Sequence, residues 1–308
     1  MERLNPQVMV TLWNIERLGS FSAVARETGW SQPAISQQIK KCEDELKIPL
    51  VRRTSHGVEL TPVGLILSKH GQLIDNRLTQ AQRDIDAYGR HHSAHIRLIA
   101  PPSICSSFAA RALVHMSWSS EVRVGLMQME PPEAVDALSQ GLADCAVTFQ
   151  YHSIPEFVKM NEDLETEYFG SDPLLLLVNQ NSVIAKRYAA VHEPISLSVA
   201  KDEHWIAGCE TCQANLISLA RVAGFSPDIT HSTDDYWATQ NLVEMGMGVS
   251  IVPRISVRAH LENDLMACPI KDENACREVL FVTRKGDHRP ALLKVKDEIK
   301  RAAQKYLE

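Results

Sequence analysis

The chain has 308 residues, 44% of them hydrophobic and 23% charged, with a net charge of −6. That composition excludes a disordered or low-complexity protein and allows about two or three domains. Its longest unbroken apolar run, Leu174–Val178, is far shorter than the ~20 residues a bilayer-spanning helix needs.

The charge is unevenly spread. Residues 1–89 hold 11 basic and 10 acidic side chains, and the remainder hold 21 and 28. Any nucleic-acid surface is therefore a local patch near the N-terminus. Seven cysteines, at 42, 105, 145, 209, 212, 268 and 276, are odd in number and scattered, which points to reduced thiols rather than a disulfide framework. The early apolar stretch Val8–Ile15 is broken by Thr11 and Asn14 and does not read as a secretory signal, so a cytoplasmic protein is expected. The triplet Ala23-Val24-Ala25 imitates a cleavage site but reads as the small-residue face of a helix.

In chain order, Val8, Leu12 and Ile15 mark one stripe of a helix ending at Leu18-Gly19. Ser20 and Ser22 offer caps for a short second helix over Ala23–Thr28, with Phe21 as a hydrophobic staple and Gly29 as its stop. Ser31 caps a third helix with Pro33 in its first turn. There Ile35, Ile39, Cys42 and Leu46 share a buried face, while Pro33, Ser36, Gln37 and Lys40 lie opposite. Small polar, amide and basic side chains on one helix face are what major-groove reading requires: Gln pairs with adenine edges, and Ser and Lys reach bases or phosphates. A lone helix of this kind would be an ordinary solvated surface. The tight helix–turn–helix spacing before it and the hairpin after it change the reading. That hairpin, Leu50-Val51-Arg52-Arg53, a turn at Thr54-Ser55-His56-Gly57, then Val58-Glu59-Leu60, forms a basic wing suited to phosphates or a minor groove.

Gly19-Ser20-Phe21-Ser22, Ser31-Gln32-Pro33-Ala34-Ile35-Ser36-Gln37-Gln38-Ile39, Glu43, Glu45-Leu46, Pro49-Leu50, Arg53 and Leu60-Thr61-Pro62-Val63-Gly64 together resemble the winged helix–turn–helix of LysR-type transcriptional regulators. Two residues depart from that pattern. Cys42 stands where the family usually has Leu and Val51 where it has Phe, both smaller, which implies looser packing without loss of the fold.

Thr61 and Pro62 start a long helix that runs to Tyr88-Gly89. Ile74, Leu78, Ala81, Ile85 and Tyr88 step by 4, 3, 4 and 3, a heptad seam for a two-chain contact, and the resemblance implies that this linker helix dimerises. Arg90-His91-His92-Ser93 reads as a hinge. Histidines 91, 92 and 95 have no carboxylate or cysteine cluster nearby in sequence to make them a metal site.

Strand and helix then alternate: strands at His95–Ala100, Val122–Met129 and Ala143–Phe149, with helices at Ser106–Met116 and Glu133–Gln140. A second set follows, with strands at Pro173–Asn179, Trp205–Ala207 and Val249–Val252 and helices near Gln213–Ala223 and Trp237–Met245. This argues for a predominantly parallel α/β sheet. Gly246-Met247-Gly248-Val249-Ser250-Ile251-Val252-Pro253 and Gly141-Leu142-Ala143-Asp144 extend the resemblance into the family's effector domain, which is similar to type 2 periplasmic binding proteins.

The expected architecture is a winged helix–turn–helix DNA-binding domain (1–61), a linker and dimerisation helix (62–90), and a two-lobed α/β effector-binding domain (91–308). Lobe one covers about 95–163 and 268–308, and lobe two about 164–267. Ser31, Gln32, Pro33, Ser36, Gln37, Lys40, Arg52 and Arg53 are the expected DNA-binding residues. By position, the resemblance places Pro102, Ser103, Thr148, Gly208, Cys209, Glu210, Thr211, His231 and Thr233 at an effector cleft, where helix N-termini favour polar or carboxylate groups. Glu130, Glu210, Asp234 and Asp235 would suit an effector bearing an amine.

Cys209-Glu210-Thr211-Cys212 is a CxxC at a helix start, where the local field favours thiolate. No second CxxC completes a four-thiolate zinc site, so no metal and no cofactor is assigned. The partners implied are double-stranded DNA, a small-molecule effector, a second copy in a homodimer or homotetramer, and RNA polymerase, with no membrane. The principal alternative is a thiol- or metal-responsive regulator using Cys209 and Cys212. A more distant one is a solute-binding protein or an enzyme using the cleft, although no G-x-S-x-G element, P-loop or dinucleotide fingerprint is present.

Overall fold

The structure, a computed structural model, describes residues 4–54, 57–89, 94–119, 122–155 and 160–307. The chain divides into two compact units, Met1–His91 and His92–Glu308.

In the first unit α1 (Pro6–Leu18) is capped by Asn5, whose side chain accepts from Gln7 N–H at 2.9 Å, and is stopped by Gly19 at φ 71°. Helix α2 (Phe21–Thr28) is capped by Ser20 and stopped by Gly29. Because Ser20 rather than Ser22 is the cap, Phe21 is the first helical residue and a buried core side chain, not an external staple. Helix α3 (Gln32–Leu46) is capped by Ser31 and ends at Lys47 in the left-handed region. Ile35, Ile39 and Cys42 bury the inner face of α3 against Leu12, Ile15, Val24 and Leu50.

The wing pairs β1 (Val51–Thr54) antiparallel with β2 (Gly57–Leu60). Leu50, expected to begin the first strand, is instead fully buried, and the Glu43 carboxylate accepts its N–H at 2.7 Å and that of Val51 at 3.1 Å. One α3 side chain therefore fixes where the wing leaves the core. Residues 55 and 56 of the expected turn, the hinge residues 90–93 and the side chain of Tyr88 lie outside the described residues.

Helix α4 (Pro62–Gly89) starts on Thr61, whose hydroxyl accepts from Gly64 N–H at 3.1 Å. A Cβ on Gly71 would stand 2.0 Å from the Met9 carbonyl oxygen, so α1 and α4 cross backbone to backbone there. Farther along α4, Ile74 is half-buried and Ala81 is exposed, while Leu78 and Ile85 are 60% and 64% exposed.

The second unit opens with β3 (Ala94–Ala100), α5 (Pro102–Ile104), a π-helical turn (Cys105–Ala109) and α6 (Ala110–Ser119). Helical structure thus begins at Pro102, four residues before the expected Ser106, because Pro102 enters at the first helical position. Next come β4 (Val122–Gln128), α7 (Pro131–Ser139), β5 (Cys145–Tyr151) and β6 (Leu164–Asn179), then α8 (Val183–Val191), β7 (His204–Ala207) and α9 (Glu210–Val222). The chain continues through β8 (Asp228–Ser232), α10 (Tyr236–Glu244), β9 (Val249–Pro253), α11 (Arg254–Ala259), β10 (Leu265–Pro269), β11 (Cys276–Arg284) and α12 (Pro290–Leu307).

These strands form one sheet in the order β4-β3-β5-β11-β6-β9-β7-β8, with β10 also paired to β6. It is mixed rather than predominantly parallel. Pairings of β3 with β4 and β5, and of β7 with β8 and β9, are parallel; every pairing of β6 and β11 is antiparallel. Those two strands join the halves without an intervening crossover helix, so they meet their neighbours head to tail. The first part of β6 pairs with β11 and its last part with β9 and β10, the change falling between Pro173 and Leu174.

Each half has its own core, one around Phe108, Phe281 and Val295 and the other around Trp205, Leu176 and Leu219. Asp144, fully buried, accepts from Arg97 and Arg289 and sits 3.6 Å from Arg284. Burial opposes its charge, but the bonds from Arg97 and Arg289 outweigh burial and hold the carboxyl at about 2.

Candidate functional site

In the first unit, Ser31, Gln32, Pro33, Gln37 and Lys40 of the α3 segment are exposed and Ser36 is half-buried. Gln32 accepts from the Ser22 hydroxyl at 2.9 Å, and Gln38 accepts from Thr11 at 3.0 Å and is thereby tied to α1. Gln37, Lys40 and Lys41 line a shallow groove with Asp44 and Glu45. On the wing, Arg52 pairs with Glu59 directly across the hairpin at 2.7 Å, whereas Arg53 is exposed. Arg52 therefore presents a partly neutralised charge, and Arg53 is the more open cation. Trp30, 46% exposed in the turn before α3, was not singled out from sequence.

The second unit holds a cleft lined on one side by Pro101, Pro102, Ser103 and Glu130 and on the other by Gly208, Cys212, Thr233, Asp234 and Tyr236, with Phe149 and Tyr151 between them. Of the expected effector residues, Pro102, Ser103, Gly208 and Thr233 line it, and Cys209 stands beside Glu130 and Asp234. Thr148 is buried on β5, and strand alternation directs it away from the face that Phe149 and Tyr151 present to the cleft. Glu210 is exposed at the first position of α9, Thr211 is buried, and His231 is half-buried on β8; none of the three lines the cleft. Among the acids proposed for an amine, Asp235 instead caps α10 by accepting from Trp237 N–H at 2.8 Å.

Three features stand at or beside the cleft, of which Arg277 was not singled out from sequence. Arg277 on β11 is fully buried, donates to Asp172 on β6 through Nε at 3.0 Å and to the Ser103 hydroxyl at 2.8 Å, and lies 4.3 Å above the Phe149 ring. Its Nη1 is buried and has no hydrogen-bond partner among the described residues. Arg277 and Asp172 face each other in register on the two strands that join the halves, and Asp172 also accepts from Ile255 N–H at 3.1 Å. The second feature is the thiol pair. Cys209 caps α9 and its Sγ lies 2.8 Å from that of Cys212, which also accepts from the Tyr151 hydroxyl at 3.4 Å. Contrary to the expectation from the helix start, the Cys209 thiol is pushed up by its bond to Cys212, by burial and by the Glu130 charge, whereas the bond from Cys209 lowers Cys212. The third is Glu130, whose carboxyl is raised by burial and by the Asp234 charge against a lowering bond with Cys209, and whose Oε2 is buried with no partner among the described residues.

A helix–turn–helix with a wing, a long helix carrying exposed leucine and isoleucine, and an α/β unit split by a polar cleft define a DNA-binding regulator with an effector-binding domain. Residues 7–65 match the "bacterial regulatory helix-turn-helix protein, lysR family" and residues 89–304 the "LysR substrate binding domain". The chain belongs to the LysR family of transcriptional regulators. It is 26% identical over 286 residues to the HTH-type transcriptional regulator AlsR of Bacillus subtilis, covering 88% of this chain and 87% of that one. It is 24% identical over 285 residues to the hydrogen peroxide-inducible genes activator of Pectobacterium carotovorum, with 90% of each covered. Its fold is similar to that of CbnR, a LysR family transcriptional regulator, at a TM-score of 0.63 and 19% identity over 97% of this chain and 99% of that chain. Full-length BenM is similar at 0.58 and 18%, over 98% and 97%.

Proposed function

We propose that this regulator acts in the cytoplasm as a homo-oligomer. Its α3 enters the major groove with Gln32, Ser36, Gln37 and Lys40 at the bases and nearby phosphates, and Arg53 of the wing holds the backbone. The observation that carries this reading is the capped, exposed amide and basic face of α3, presented immediately after α2. CbnR has been solved with its target DNA, which favours the same mode here. The exposed Leu78 and Ile85 of α4 support pairing of two chains on a dyad-symmetric site, and RNA polymerase is the partner through which such a bound regulator would act.

In the second unit a small polar effector would bind in the cleft, between Ser103 on one side and Gly208 and Thr233 on the other. A second reading assigns the signal to the cysteines, favoured by the 2.8 Å separation of Cys209 and Cys212.

Selection of genomic DNA fragments by the purified protein, followed by footprinting, tests the central claim. A site with dyad symmetry is expected. Gln37→Ala should relax sequence preference, whereas Arg53→Ala should weaken all sequences alike and reduce the salt slope by about one. An unchanged preference in Gln37→Ala would overturn the assignment of the reading face.

A further inference from the structure

The cleft rim gathers three soft and hard donors from three separate segments, with a second thiol beside one of them. One ligand atom each from Glu130, Cys209 and Asp234 lie within 4.8 Å of one another, and Cys212 Sγ lies 2.8 Å from Cys209 Sγ. Glu130 belongs to the start of α7 in one half of the unit; the two cysteines open α9 and Asp234 precedes α10 in the other. Two thiols with two carboxylates suit a borderline-soft, four-coordinate divalent cation, not magnesium or calcium, which take oxygen donors throughout.

Two further observations point to a positively charged ligand. Glu130 Oε2 is buried with no hydrogen-bond partner among the described residues. Gly208 keeps a gap between the donors open: a Cβ there would stand 3.2 Å from Cys212 Sγ and 3.7 Å from Asp234 Oδ1.

We propose that Cys209, Cys212, Glu130 and Asp234 bind one thiophilic divalent cation of the zinc type, and that this cation, by joining Glu130 to ligands of the opposite half, holds the cleft closed. The inference deepens the cysteine reading given above and rests on it. Each thiol gives its proton to solvent as its sulfur binds the metal, so two protons leave with every cation bound. The cation shifts the regulator only to the extent that it binds the closed arrangement more tightly than the open one.

The test uses full-length reduced protein. Titration with cadmium should give one equivalent of binding with a thiolate-to-cadmium charge-transfer band in the ultraviolet, and zinc should displace it with release of protons. Cys209→Ser and Cys212→Ser should each diminish the band. Glu130→Gln and Asp234→Asn should keep the band yet weaken zinc by about tenfold or more against a chromogenic chelator. Thermal unfolding of each variant checks that it is folded. Absence of stoichiometric binding would overturn the proposal, as would zinc affinity indifferent to both carboxylates, which would leave a dithiol alone. A footprint made in chelator with the unmodified protein tests the regulator reading separately, so the two fail independently.

Discussion

The pair of Asp172 and Arg277 offers the sharpest energetic test of how the second unit is held together. Both side chains are fully buried, and Asp172 Oδ2 receives Nε at 3.0 Å and Nη2 at 2.9 Å while Oδ1 receives Ile255 N–H. Asp172→Asn keeps the volume and removes the charge, leaving a guanidinium in the interior with no counterion. A buried pair broken on one side typically costs ~3–5 kcal/mol, because the surviving charge has lost its water and its partner together. For a unit of this size each kcal/mol moves the melting temperature by roughly 2–4 °C, so a loss of about 6–20 °C is expected. Arg277→Met should cost a similar amount by stranding Asp172. The double variant Asp172→Asn with Arg277→Met removes both charges and should be more stable than the sum of the singles by about 2–3 kcal/mol. Urea melts followed by near-ultraviolet circular dichroism measure all four proteins. Single losses below about 1 kcal/mol, or strict additivity, would refute the account of the pair as a mutually dependent ion pair.

Gly71→Ala should destabilise the first unit by about 1–3 kcal/mol, since the new methyl meets the Met9 carbonyl; a raised melting temperature, the usual effect of Gly→Ala in a helix, would show that the backbones are not in contact. Replacing Leu78 and Ile85 together by Ser should convert the proposed homo-oligomer toward monomer in sedimentation velocity, and an unchanged sedimentation coefficient would exclude this stripe as the seam. Asp144, held at about 2 against an ordinary 3.8, contributes stability above its unfolded value that is lost as pH falls through about 2. Acid titration should therefore show about 2 kcal/mol of this dependence disappear in Asp144→Asn, and an identical acid profile in the variant would remove Asp144 from the explanation.

The first unit was legible in sequence because its punctuation is local. Ser20, Ser31 and Thr61 cap the helices that follow them, and Gly19 and Gly29 take the left-handed stops, all within a few residues of the elements they bound. The second unit hid what depends on distant partners. Only Pro173–Asn179 of β6 was recognisable as a strand. The preceding Leu164–Asp172 carries Glu165, Glu167 and Asp172 among its apolar residues, and β11 went unassigned. The burial of Arg277 follows from β11 lying between β5 and β6, a tertiary fact. At Cys209 the helix start was read correctly, yet the direction of the thiol shift was reversed by Cys212 and by Glu130, 79 residues earlier in the chain. Glu130, Asp234 and the CxxC were each placed near the cleft from sequence, but the convergence of Glu130, Cys209 and Asp234 depends on three segments far apart in the chain.

The Asp172–Arg277 pair lies where the two joining strands pass between the halves, sealed from solvent on every side. Mobile ions screen only what they can approach. The pair that ties the two joining strands is thus insulated from the ionic strength of the surroundings, while the exposed arginines of the wing are open to it. A cell whose salt content swings would change how often this regulator occupies DNA and leave almost untouched the ion pair at the join of its effector-binding domain.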